Sequence, residues 1–327
     1  MNRRLTVVMY HYVRDLKYSR YPEIKGCDVH LFKEQIQYIK KHYTPVTIEQ
    51  IIDSFDNGTK LPEHAILLTF DDAYADHFTY AFPVLKHENI QGVFFPPVKA
   101  LTEHSVLDVN KVHFLLAATP GDNIPQLINE LKIMVEKNRD EYCLEPFEVY
   151  YERLAVANRF DAKDIVFIKR LLQVALPEEL RKKISTELFE RSVGMDEGMF
   201  SRELYMNLDQ IKCMVDCGMH LGSHGYDHYW LSSLSKEKQE DEIKKSVEFI
   251  KTVGGDVNNW TIGYPYGDYN EDTISILKEN GCRMGFTTRV DIADLDENGT
   301  DVIYKLPRLD VNDLPKDANA PLNKWYF

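Results

Sequence analysis

Ala65-Ile66-Leu67-Leu68-Thr69-Phe70-Asp71-Asp72 is a nearly unbroken apolar run that stops on two adjacent carboxylates. Such a run reads as a strand buried on both faces of a parallel sheet. The carboxyl end of such a strand is where α/β folds place their chemistry. Neighbouring residues on a strand point opposite ways, but a turn at its end can aim both carboxylates into one mouth. The plainer reading of Asp71 and Asp72 is the N-cap of a following helix.

Strands and helices alternate on either side of this run. Leu5–Met9 reads as the opening strand. A helix over Asp28–His42 is capped by Asp28, and a second begins at Thr47, with Gln50 completing a capping box. A helix over Phe78–His87 leads to a strand over Gly92–Phe95, stopped by Pro96-Pro97. From Leu101 to Tyr205 glycine is scarce and apolar residues recur at helical spacing, as in Leu127, Ile128, Leu131 and Met134. This stretch reads as a helical insertion, residues 101–205, between halves 1–100 and 206–327 of one α/β domain. The rhythm resumes with a helix over Leu208–Cys217, a strand over Met219–Ser223 and a helix over Lys236–Val253. A strand over Trp260–Tyr264, a helix over Glu271–Asn280 and strands over Arg283–Thr288 and Ile303–Leu306 complete it. This alternation implies a parallel sheet or barrel.

Met219–Ser223 runs into Gly222-Ser223-His224-Gly225-Tyr226-Asp227-His228, whose two histidines stand four apart. That spacing lets two imidazoles hold one ion, although two surface histidines would look the same. Zinc and related ions take two imidazoles and a carboxylate and leave a position open for water. Asp72 is the natural third ligand, and Asp71 could then act as base. Tyr264-Pro265-Tyr266-Gly267 follows another strand. It is either a simple turn or a groove wall, with aromatic faces for a sugar ring and a backbone N–H for an oxyanion.

In this order the three motifs resemble the polysaccharide deacetylase family, also called NodB-homology or carbohydrate esterase 4. Its motifs read Thr-Phe-Asp-Asp-Gly, His-(Ser/Thr)-x-x-His, and Arg-x-Pro-(Tyr/Trp)-Gly or a Tyr-Pro-Tyr-Gly variant. Met9-Tyr10-His11-Tyr12-Val13 is similar to the start of the branch holding the biofilm poly-glucosamine deacetylases. The resemblance covers residues 5–100 and 206–310. It implies a distorted (β/α) barrel, often seven-stranded, that removes acetyl groups from N-acetylated, sometimes O-acetylated, sugars. It implies a divalent ion, most often Zn2+, on Asp72, His224 and His228. The base falls on Asp71, the oxyanion donor on the Tyr266 backbone, and a substrate groove on Tyr264, Pro265 and Tyr266.

Three departures from the family pattern stand out. The arginine that orients the base aligns with Gly263, and Arg308 is the candidate replacement. No histidine follows His228, so the usual late acid is missing; His11 or His113 are candidates. Ala73 stands where the first motif has glycine.

The expected activity is removal of an acetyl group from an N-acetylated sugar or polysaccharide precursor in surface polysaccharide or lipopolysaccharide biosynthesis. The alternatives are a C–N hydrolase on a non-sugar amide and a carbohydrate-binding pseudoenzyme that has lost its catalytic apparatus. A net charge of −13 over 327 residues disfavours nucleic acid and anionic membranes as partners. No stretch of about 18 apolar residues suggests a membrane span. The Arg3-Arg4 start, cut short at Tyr10 and His11, reads as a strand rather than a signal peptide. With five cysteines and no framework spacing, the expectation is a reducing cytoplasm. Cys213 and Cys217 share a helix face, most simply as two small side chains.

Overall fold

The Ala65–Asp71 strand has all seven residues buried, as an apolar run flanked by strands on both sides requires. The chain is described by a computed structural model covering residues 3–159, 161–296 and 301–326. Ala65–Asp71 pairs in parallel with Arg4–Tyr10 and with Gly92–Phe95. The register sets Tyr10 opposite Phe70, and Phe70 opposite Phe94. The three rings stack at 4.9 and 4.7 Å between centroids. Such pairs add about 0.5–1.5 kcal/mol each beyond the area they bury. This row levels the strand ends, so that His11, Asp71 and Phe95 leave the sheet at one edge.

His220–Leu221 continues the sheet beside Gly92–Phe95. Thr44–Pro45 pairs with the start of Ala65–Asp71, and Leu309–Asp310 lies parallel to Val8–Met9. Ala293–Asp294 pairs antiparallel with Arg4–Leu5 and makes the seven-stranded sheet mixed rather than all-parallel. One antiparallel strand on an otherwise parallel sheet is a common variation. Thr261–Gly263 and Met284–Phe286 form a separate parallel pair.

The expected helices form with their caps. Asp28 accepts from the His30 N–H, and Thr47 and Gln50 make the reciprocal capping box. Phe78–His87 divides into a π-helical turn, His77–Ala81, and the helix Phe82–His87. Ile303–Leu306 is not a strand. Val302–Tyr304 is a 3-10 turn, and Leu306 makes only an isolated bridge to Phe286. Pro307 offers no N–H to extend the pairing, and the last strand is Leu309–Asp310.

The chain divides into two compact units. One comprises Met1–Asp15, Gly26–His104 and Arg202–Phe327 and holds the sheets. The other, Leu16–Lys25 with Ser105–Ser201, is helical. Its core gathers Val112, Leu115, Leu131, Val135, Phe167 and Leu188. Among the described residues no helix is long and apolar enough to cross a membrane.

Candidate active site

The turn after Ala65–Asp71 decides where the two carboxylates go. Asp72 and Ala73 both have left-handed backbones, with φ of 73° and 54°. The Asp72 N–H donates to the Phe95 carbonyl at 3.1 Å, and the Ala73 carbonyl accepts from the Met206 N–H at 2.9 Å. Asp71 and Asp72 are therefore both buried at the same strand end, and neither serves as a simple helix cap. A left-handed residue at position 73 is also a physical reason for glycine there, since a side chain in that region costs about 1–2 kcal/mol.

Asp72 faces the two histidines. Its Oδ2 accepts from the Tyr74 hydroxyl at 2.6 Å. Its Oδ1 is buried without a hydrogen-bond partner among the described residues and lies 3.4 Å from both His224 Nε2 and His228 Nε2. The ligand atoms of Asp72, His224 and His228 all lie within 4.8 Å of one another. His224 Nδ1 donates to the Gly263 carbonyl at 2.5 Å, which leaves Nε2 aimed inward. Burial opposes the charge on Asp72, but the imidazoles outweigh it and hold the carboxyl below its ordinary value. Burial also pushes His228 down to about 4, whereas at His224 the Asp72 partner overcomes burial and raises it. An unsatisfied carboxylate oxygen and two convergent imidazole nitrogens are the donor set of a divalent ion such as zinc, and these residues fit one.

Asp71 is held from the other side. Arg308, fully buried, bonds it through Nη1 to Oδ1 at 2.8 Å and through Nη2 to Oδ2 at 2.9 Å. The guanidinium is itself fixed by the Thr287 carbonyl at 2.9 Å and the Thr69 hydroxyl at 3.2 Å. Burial works to raise the Asp71 carboxyl, but the Arg308 charge and the nearby imidazoles outweigh it, and it stays ionised. His11 Nε2 stands 3.9 Å from Asp71 Oδ2. The backbone carbonyl of His11 is tied to the buried His77 Nε2 at 2.7 Å.

Gly263 has no room for the arginine that its alignment suggests. A Cβ built there lies 2.9 Å from Phe95 Cδ2 and 3.1 Å from Cγ. Gly263→Ala is expected to cost about 1–3 kcal/mol by overpacking. A lowered midpoint of thermal unfolding would show it; an unchanged midpoint would mean the site is looser than these contacts imply.

The third motif divides. Tyr264 is fully buried, with its hydroxyl on the Tyr304 carbonyl at 2.8 Å, and Pro265 is buried as well. Tyr264 is therefore a core side chain and not the groove wall expected of it. Tyr266 is half-buried with φ 58° and ψ 5°, and its ring meets the His228 ring at 4.7 Å. Asp72, Ala73, His228 and Tyr266 are four of the eight non-glycine residues with positive φ among the described residues. Strained backbone of this kind clusters where function over-determines it. His113, the other candidate acid, belongs to the helical unit and lines a cavity of about 650 Å³ there.

Three side chains of the site were not picked out by the sequence reading. Tyr74 holds Asp72, and His77 holds His11. Glu242 accepts from the Tyr226 and Asp227 N–H groups at 2.9 and 2.8 Å, and so fixes the loop between the two histidines.

Residues 194–285 match the family model described as polysaccharide deacetylase. Over this segment the chain is similar to polysaccharide deacetylases. It is 30% identical over 108 residues to YxkH of Bacillus subtilis (strain 168), covering 33% of this chain and 37% of that protein. It is 22% identical over 279 residues to the poly-beta-1,6-N-acetyl-D-glucosamine N-deacetylase of Staphylococcus epidermidis, covering 85% of this chain and 65% of that one. The chain thus spans under two thirds of the length of either curated relative. The structure of the Streptococcus pyogenes deacetylase PplD superposes with a TM-score of 0.57 at 18% identity over 97% of both chains. That likeness shows a shared NodB-like α/β fold. The matched segment, residues 194–285, contains His224, His228 and Tyr266.

Proposed function

We propose that this chain is a metal-dependent hydrolase that removes an acetyl group from an N-acetylated sugar. The observation that carries the reading is the pairing of two unlike carboxylates. Asp71 is clamped as an anion by Arg308, while Asp72 turns a bare oxygen toward His224 and His228. A divalent ion on Asp72, His224 and His228, Zn2+ by its donor set, supplies Lewis-acid chemistry when bound: it polarises an amide carbonyl and acidifies a water.

The chain's own residues do the rest. Asp71 takes the proton of the attacking water, and Arg308 keeps both carboxylate oxygens oriented for it. The Tyr266 backbone N–H meets the oxyanion of the tetrahedral intermediate. His11, whose side chain is 41% exposed, returns a proton to the leaving amine. Arg308, just before the last strand, does what the family arginine does from position 263, which favours an active enzyme over a pseudoenzyme.

The staphylococcal relative is named for poly-beta-1,6-N-acetyl-D-glucosamine, and an N-acetylglucosamine chain or its precursor is the substrate we assign here. Surface polysaccharide or lipopolysaccharide biosynthesis is the context that suits it. Five free thiols support action in a reducing compartment, which cell fractionation would test. The isolated bridges Ser223–Ile262 and Phe286–Leu306 support a distorted barrel that links the paired strands to the main sheet.

The direct test is acetate release from β-1,6-linked N-acetylglucosamine oligomers, run beside cyclic amides. Acetate from the sugars alone supports the reading. Ring-opened amide without acetate would replace the sugar by another C–N substrate.

A further inference from the structure

Beside the candidate site, two loops are joined by contacts that neither metal binding nor proton transfer requires. Trp230, two residues beyond His228, lies flat on Tyr266, with centroids 4.4 Å apart and planes 4° from parallel. The Tyr266 ring also meets His228, edge-on at 4.7 Å and 66°. One residue past the next, Ser232 donates through its N–H and its hydroxyl to the Asp268 carboxylate, at 2.7 and 2.8 Å. The segment carrying His228 and the turn carrying Tyr266 are thus joined twice, by a stack and by a two-bond clamp.

The turn needs such support. Tyr266 sits at φ 58°, where side chains are rare, and is followed by Gly267 at φ 73°. A Cβ at Gly267 would run into the Thr288 side chain. A backbone in this region persists only when its surroundings over-determine it. The Trp230 indole N–H is buried and bonds no atom among the described residues, so the ring is held there by stacking rather than by a hydrogen bond.

We infer that Trp230 is a positioning residue: its stack on Tyr266, backed by the Ser232–Asp268 clamp, holds the Tyr266 backbone N–H in register with His228. The inference rests on the hydrolase reading above, in which that N–H meets the oxyanion. It assigns Trp230 no contact with the reacting atoms.

Two measurements test it. In the metal-free protein, Trp230→Ala, Tyr266→Ala and the double variant form a thermal-unfolding cycle. A stack that holds the turn makes the double variant's loss smaller than the sum of the two. In the zinc-loaded protein with an N-acetylglucosamine oligomer, Trp230→Ala is expected to lower kcat by about tenfold or more, with KM and bound zinc within about twofold. Trp230→Phe keeps the stacking face and should return kcat to within about threefold of wild type. If Trp230→Ala does not fold, Asp268→Asn weakens the clamp from the other side and should lower kcat in the same sense.

An additive cycle, or a raised KM with kcat unchanged, would overturn the inference; the second result would make Trp230 a sugar platform instead. A wild type that releases no acetate at all defeats the hydrolase reading, and the unfolding cycle still decides whether the stack holds the turn.

Discussion

Arg308→Met should be the most damaging single change at the site. It leaves the Asp71 carboxylate buried with its bidentate partner gone. Removing one member of a buried ion pair costs about 3–5 kcal/mol, because the remaining charge is uncompensated. Chemical denaturation should register that loss. Acetate release should fall by roughly 100-fold or more among the molecules that stay folded, since a base misplaced by an ångström loses about that much. Arg308→Lys separates charge from geometry. An ammonium restores the positive charge but not the planar fork, which here bonds Asp71, Thr69 and the Thr287 carbonyl together. Its stability should recover more than its activity does. Equal stability for wild type and Arg308→Met would mean that Asp71 is protonated in the folded protein, against the charge balance drawn above.

The second large effect concerns the triad. Wild-type protein dialysed against zinc should retain about one ion per chain, the number that one closed set of three protein ligands implies. His228→Ala and Asp72→Asn should retain essentially none. Tyr74→Phe is the graded comparison. It removes only the hydrogen bond that orients Asp72 Oδ2. Loss of such an outer partner typically costs about 10–100-fold in affinity, so Tyr74→Phe should bind measurably but more weakly. Elemental analysis after dialysis, with a competitive chelator titration, reads all four proteins. Retention of zinc by His228→Ala would move the site elsewhere.

Much of the centre of the molecule can be read from residue order alone. The apolar run at 65–70 reads as a buried parallel strand, and its two aspartates stand at its carboxyl end. Asp28 and Thr47 announce their helices by local side-chain chemistry, which needs no tertiary context. His224 and His228 carry their spacing with them. Arg308 is different: in residue order it is an isolated cation, and only the family resemblance marked it.

What stayed hidden depends on backbone angles and long-range packing. Tyr74 reaches Asp72 because two left-handed residues reverse the chain between strand and helix, and nothing in Asp-Asp-Ala-Tyr declares φ. Tyr264 lies just past the short strand Thr261–Gly263, and its burial goes with a bond from its phenol to the Tyr304 carbonyl 40 residues away. Gly263 looks like a lost arginine until the Phe95 ring is seen against it. Glu242 did leave a trace. It shares a buried helix face with Ile243, Ser246, Phe249 and Ile250, which is unusual for a glutamate in so charged a helix. The antiparallel strand Ala293–Asp294 has only two residues, too few for any pattern to register.

The decisive measurement is acetate release followed as zinc is removed and returned. Protein stripped with a chelator should release no acetate from an N-acetylglucosamine oligomer. Activity should return in proportion to bound zinc and level off near one equivalent per chain, and Asp71→Asn should bind the same zinc yet stay inactive. Acetate release that survives full removal of the metal, or that persists in Asp71→Asn, would contradict a hydrolase built on Asp71 and the Asp72–His224–His228 triad.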